Sequence, residues 1–97
     1  MTLHLVSKSP FSSSALCDCI KCFAEGDVLL LIEDGVYALR HGALQKLQNS
    51  AIYCLEADAK ARGQQELTAI VSGVTMIDDA GWVKLCTQNT PIVSWFR

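Results

Sequence analysis

Apolar positions along the chain switch repeatedly between two periods. Thr2-Leu3-His4-Leu5-Val6-Ser7 alternates weakly and predicts a strand. Ser9-Pro10-Phe11 predicts a turn, after which Ser12, Ser13 or Ser14 caps a helix. That helix is expected to run to about Glu25 and stop at Gly26, a residue suited to a left-handed end. Asp27 to Ile32 is the clearest strand, apolar on both faces as the centre of a covered parallel sheet would be. Glu33-Asp34-Gly35 ends it. A short helix is expected at Val36–Leu39 and a second short helix or turn at Ala43–Gln48, then a third strand at Ala51–Leu55. A helical turn over Ala57–Arg62 is closed by Gly63. The fourth strand spans Val74–Ile77, with Ile70 as an alternative start. Asp78 or Asp79 caps a helix from Ala80 to about Gln88, Pro91 breaks it, and Ile92–Phe96 is the last strand.

Strand–helix alternation of this kind predicts an α/β fold with a mainly parallel sheet of about five strands and helices on both faces. Residues 1–97 read as a single domain without repeat or linker. In such sheets functional groups gather at the carboxyl ends of the strands. Those ends carry Ser7-Lys8-Ser9, Glu33-Asp34-Gly35, Glu56 with Asp58, and Asp78-Asp79, a polar and mostly acidic edge. Its residues serve as helix caps and turns, or they line a binding site.

Composition adds a hint of partnership. The chain is 51% hydrophobic and 19% charged, with mean hydropathy +0.27. Ninety-seven residues make only a small core, so apolar surface left over is suited to another protein. The net charge of −2 and the lack of any Lys/Arg run disfavour direct nucleic-acid binding. The longest apolar run, Val28 to Ile32, is too short to span a membrane. The start of the chain lacks the cation-first order of a secretory signal, so a cytoplasmic location is expected. G-x-x-x-x-G-K-[ST] and G-x-G-x-x-G motifs are missing, and no spacing selects a Ser-His-Asp set.

The chemistry worth weighing lies in the five cysteines, expected to be thiols in a reducing compartment. Cys17, Cys19 and Cys22 form C-x-C-x-x-C. On a helix Cys19 and Cys22 lie roughly 60° apart while Cys17 points elsewhere, so the three cannot converge on a metal ion. No metal and no cofactor are expected. Leu16, Ile20, Phe23 and Ala24 make an apolar stripe, with Cys19 on its rim and Cys22 further out. Cys19 is therefore expected to be partly exposed yet anchored, as a carrier thiol must be; an inert, half-buried thiol is the other reading. Cys54, in a strand, and Cys86, on a helical face with Trp82 and Leu85, read as core. Tyr37, Trp82 and Trp95 read as core or interface, the indoles needing hydrogen-bond partners if buried.

The chain also resembles the DsrH/TusB family. The resemblance is carried by Leu3-His4, Lys8-Ser9-Pro10-Phe11, Glu25-Gly26-Asp27 before the apolar strand, and Glu33-Asp34-Gly35-Val36-Tyr37. Asp58-x-x-Ala61-Arg62-Gly63, Asp78 and Trp95 complete it, so that it covers essentially the whole chain. It implies a three-layer α/β/α sandwich in a heterohexamer with homologous TusC/DsrF-like and TusD/DsrE-like subunits. It further implies passage of persulfide sulfur from a TusA-like donor to a TusE/DsrC-like acceptor, for 2-thiolation of the tRNA wobble uridine or, in the Dsr branch, for dissimilatory sulfur oxidation. The resemblance places the main catalytic cysteine on a sister subunit. Cys19 matches the first-helix cysteine of some members and is a candidate auxiliary sulfur carrier; Cys17 and Cys22 depart from the usual pattern. A stand-alone thiol or redox protein using Cys19, and a generic interaction domain, are the competing expectations.

Overall fold

The computed structural model describes residues 2–47, 51–64 and 73–95. Five strands form one sheet: β1 (Leu3–Val6), β2 (Val28–Leu31), β3 (Ala51–Leu55), β4 (Val74–Ile77) and β5 (Ile92–Trp95). Their order is β4-β3-β2-β1-β5, and every pairing is parallel. The chain steps outward from β1 to β4, then returns to lay β5 on the other side of β1. Among the described residues the connections contain the α-helices α1 (Ala15–Cys22), α2 (Glu56–Ala61) and α3 (Asp79–Gln88) and the 3-10 segments Glu33–Arg40 and Gly42–Leu47. The expected early start of the fourth strand at Ile70, the end of the second short helix at Gln48 and the end of the last strand at Phe96 fall outside the described residues.

Alternation along the strands sorts the side chains onto two faces. Val6, Leu29, Leu31, Ile52 and Cys54 face one way and pack with Leu16 and Cys19 of α1, Val36 and Leu39 of the first 3-10 segment and Ala59 of α2. Leu3, Val28, Leu30 and Leu55 face the other way, where α3 supplies Leu85, Trp82 and Cys86. The architecture is thus the three-layer α/β/α sandwich. Among the described residues, four connecting elements pack on one face and α3 packs on the other. All four residues of β2 are buried, which explains its unbroken apolar run.

Local chemistry explains most element ends. Asp78 caps α3, its Oδ1 accepting the Gly81 N–H at 2.8 Å. Gly63 (φ 68°) follows α2 as a left-handed terminator. The segment after β2 is 3-10 rather than α-helical. There Glu33 is held in the left-handed region (φ 49°), and Gly35 lies so close to the end of β1 that a Cβ would overlap the Val6 carbonyl.

α1 ends three residues before the expected Glu25. The Asp27 carboxylate takes the Ala24 N–H at 3.0 Å, and Asp27 N–H bonds the Ala24 carbonyl at 3.0 Å. This side-chain turn competes with a further helical turn and leaves Phe23 extended. Gly26 does adopt positive φ (89°), but within that turn rather than at the helix end.

Candidate functional site

The shortened helix changes the place of each thiol. With Phe23 and Ala24 removed from the helical wheel, the buried stripe of α1 is Ala15, Leu16 and Cys19, and Ile20 is half-buried beside it. The centre of the stripe moves by roughly half a turn-step toward Cys19. Cys19 is 0% exposed, which corrects the expectation of a partly exposed anchored thiol. Burial pushes its pKa up to about 12, with the neighbouring Cys22 and the Asp27 carboxylate adding to the rise. Cys17 and Cys22 are exposed, on different sides of the helix. Cys54 is sealed in β3, where burial again pushes the thiol to about 12. Cys86 is half-buried. Among the described residues no group of three or more His, Cys, Asp or Glu is placed to hold a metal ion.

At the carboxyl edge of the sheet the acidic groups turn inward on the backbone. Asp58 Oδ2 accepts the Glu33 N–H at 2.7 Å, which secures the strained left-handed residue. Arg62 Nε donates to Asp34 Oδ1 at 2.8 Å, and its Nη1 lies 3.8 Å from Asp58 Oδ1. The hydrogen bond to Asp34 raises the Arg62 pKa. Of the carboxylates at this edge, Asp34, Asp58 and Asp78 therefore act as clamps and caps. Phe11 projects beside them, exposed, its ring edge-on to His41 with centroids 5.4 Å apart.

The most connected polar group lies at the opposite, amino end of the sheet. His4 of β1 is buried between Phe23 and Trp95, with ring centroids at 5.1 and 6.1 Å. Its Nε2 lies 2.9 Å from Asp27 Oδ2, and the Trp95 indole N–H donates to its Nδ1 at 3.1 Å. An indole N–H can only donate, so Nδ1 carries no proton and the ring is the neutral Nε2–H tautomer, donating to Asp27. Asp27 also accepts the Thr2 N–H at 3.1 Å and the Ala24 N–H. The hydrogen bond from His4, ahead of the two backbone bonds, holds the Asp27 carboxyl below the usual aspartate value. Sequence reading missed this network because its members lie at positions 4, 27 and 95. The available signal was a polar residue on the inward side of an apolar strand, opposite an acidic residue at the head of the next strand.

On the α3 face, Leu5, Trp82, Val83, Cys86, Thr87 and Ile92 line an open apolar groove of about 330 Å³ between α3 and the β1–β5 strands. Val83 and Ile92 are exposed, as residues of a surface awaiting a protein partner would be. No helix among the described residues is long and apolar enough to cross a membrane.

Comparison with known proteins gives a consistent picture. The family model described as DsrH like protein matches residues 8–91. Protein TusB of Pectobacterium parmentieri is 34% identical over 97 residues, covering 96% of this chain and 99% of that protein. Protein TusB of Escherichia coli (strain K12) is 34% identical over 98 residues, with the same coverage of 96% and 99%. Among solved structures, the crystal structure of the ychN protein from E. coli has a TM-score of 0.78 at 15% identity, covering 98% of this chain and 99% of that one. The solution structure of Tm0979 from Thermotoga maritima has a TM-score of 0.67 at 23% identity, covering 91% and 93%. At those identities the two structures attest the fold.

Proposed function

Because the chain belongs to the DsrH family, we propose that it works as one subunit of a sulfur-relay assembly, in the branch that leads to tRNA thiolation. In this reading it docks in the cytoplasm on TusC/DsrF-like and TusD/DsrE-like sisters in a heterohexamer. Persulfide sulfur enters from a TusA-like donor and leaves to a TusE/DsrC-like acceptor, for 2-thiolation of the wobble uridine. The observation that carries the reading is the end-to-end likeness to proteins named TusB, 34% identical over 96% of the chain. The exposed apolar groove beside α3 supports a subunit role.

Each relay step is a thiol exchange. An acceptor thiolate attacks the outer sulfur of a persulfide, the S–S bond breaks, and the donor cysteine leaves as a thiolate. One sulfur, with its proton, changes hands without net oxidation. Such a step needs a thiolate that a second protein can approach in line. Cys19, 0% exposed and pushed up to about 12, meets neither need in this conformation. We therefore assign Cys19 to packing and the sulfur-carrying thiol to a sister subunit.

Co-expression with candidate sister subunits from the same genome tests the subunit role; the expected result is a stable co-purifying complex. In a strain lacking this chain, tRNA 2-thiouridine should fall and be restored equally by the wild type and by Cys19→Ser. Failure to co-purify overturns the subunit role. Unchanged 2-thiouridine moves the protein to the sulfur-oxidation branch. Failure of Cys19→Ser alone, with the complex intact, returns the carrier role to Cys19.

A further inference from the structure

Trp95 is the last described residue of β5, an outer strand that pairs within the sheet only with β1. Its ring reaches past Val6, its register partner, to bond the His4 ring, and it packs against the cluster formed with α1. This side-chain hydrogen bond adds to the ladder pairing with Val6 and joins the end of β5 to the buried His4 ring. That bond depends on a bare ring nitrogen.

We propose that His4, Asp27 and Trp95 form a proton-operated latch, closed when His4 is neutral and released when His4 takes up a proton. The logic is one of donors and acceptors. When Nδ1 gains a proton from solvent it becomes a second N–H donor, facing an indole that can only donate. Asp27 cannot relieve the conflict, because its Oδ2 already serves Nε2–H and stays with the imidazolium as its counter-charge. The Trp95 ring must then move away from Nδ1, and the end of β5 loses its side-chain bond to His4.

The other groups around the ring leave this response to His4. β2 presents Leu29 and β5 presents Val93 as the register partners of His4. Phe23 lies tilted against the ring, with centroids 5.1 Å apart. The Cys19 thiol of α1, buried in the cluster that Phe23 and Trp95 pack against, stays protonated far above neutral pH. Asp27 remains ionised well into acid. The latch is independent of the sulfur-relay reading.

NMR of the full ¹⁵N-labelled chain tests it. The Trp95 indole resonance is the one that disappears in Trp95→Phe, and Trp82 serves as an internal control. Near pH 8 the His4 ring should show the neutral Nε2–H tautomer. As the pH is lowered, the Trp95 indole proton should move upfield and exchange faster with solvent in step with protonation of the His4 ring. The Trp82 indole should stay in place. Trp95→Phe keeps an aromatic ring but removes the donor, and should raise the proton affinity of His4 by roughly three- to tenfold. A Trp95 indole that ignores the His4 titration, or a His4 midpoint that Trp95→Phe leaves in place, overturns the proposal.

Discussion

Removing the Asp27 carboxylate should cost this small protein a large share of its stability. Its two oxygens accept from His4 Nε2 at 2.9 Å, Ala24 N at 3.0 Å and Thr2 N at 3.1 Å. In Asp27→Ala all three donors lose their acceptor. The His4 N–H is buried and costs about 2 kcal/mol unpaired. The two backbone N–H groups are only partly buried and recover water, at about 0.5 kcal/mol each. The sum, about 3 kcal/mol, corresponds to a fall in Tm of roughly 12–24 °C for a chain of this length. Asp27→Asn should cost less, about 1–2 kcal/mol. Its single carbonyl oxygen can take the place of Oδ2 and serve His4 and Ala24, leaving only Thr2 against an amide N–H. The His4 tautomer cannot adapt instead, because Trp95 holds Nδ1 as an acceptor.

The assay is thermal and urea unfolding of the full chain followed by circular dichroism in reducing buffer. The pH dependence gives a second reading. The folded-state pKa of Asp27 is depressed, so its contribution is full above the ordinary aspartate value of about 4 and is lost as the pH falls through the lower folded value. The part of the gap between wild type and Asp27→Ala that comes from Asp27 ionisation should therefore be lost only below about pH 4. An alanine variant within about 0.5 kcal/mol of wild type would refute the reasoning, as would an asparagine variant as damaged as alanine.

Three further outcomes follow from the same structure. Gly35→Ala should destabilise by about 3 kcal/mol or more, because the added Cβ meets the Val6 carbonyl group, a backbone group already held by the Ile32 N–H; urea unfolding checks it. Glu33→Gly should raise stability by about 0.5–1 kcal/mol, since the left-handed strain at φ 49° is relieved while the backbone N–H to Asp58 remains; a rise in Tm of a few degrees would be measured. Under native conditions alkylating reagent should label Cys17 and Cys22 first, with Cys19 and Cys54 reacting only on unfolding, as mass spectrometry of quenched time points would show.

Element identity was legible in the sequence where periodicity and capping agreed. β2 and β3 fall where their apolar runs stop, and Asp78 caps α3 because Gly81 presents its N–H three residues on. The end of α1 was not legible. It is set by Asp27, whose side chain reaches back to Ala24, and a wheel drawn through Phe23 and Ala24 points the helix the wrong way. The 3-10 geometry after β2 was likewise hidden, since it follows from the close approach of Gly35 to β1, a contact between positions far apart in the chain. The strand–helix alternation predicted the strand count and helices on both faces, and the family resemblance implied the three-layer arrangement, but neither carried information on which cysteine faces solvent.

That last point bears on how reactive sulfur and this subunit meet. With a pKa near 12, Cys19 holds about one thiolate in 10⁵ at pH 7, about a thousandfold less than an ordinary cysteine. Opening α1 enough to expose it would break the packing of Leu16 and disturb Phe23, which lies against His4. The cost would be that of unpacking one turn of the core, on the order of 2–4 kcal/mol, in addition to the unfavourable ionisation. The two penalties together leave a thiol far slower than any exposed competitor, including Cys22 on the same helix. On the proposed role, a subunit built this way would contribute through its surface. In that role, the surface available for docking is the apolar groove of Leu5, Trp82, Val83 and Ile92 beside α3, whereas the acidic edge is engaged in holding the backbone of Glu33 and the guanidinium of Arg62.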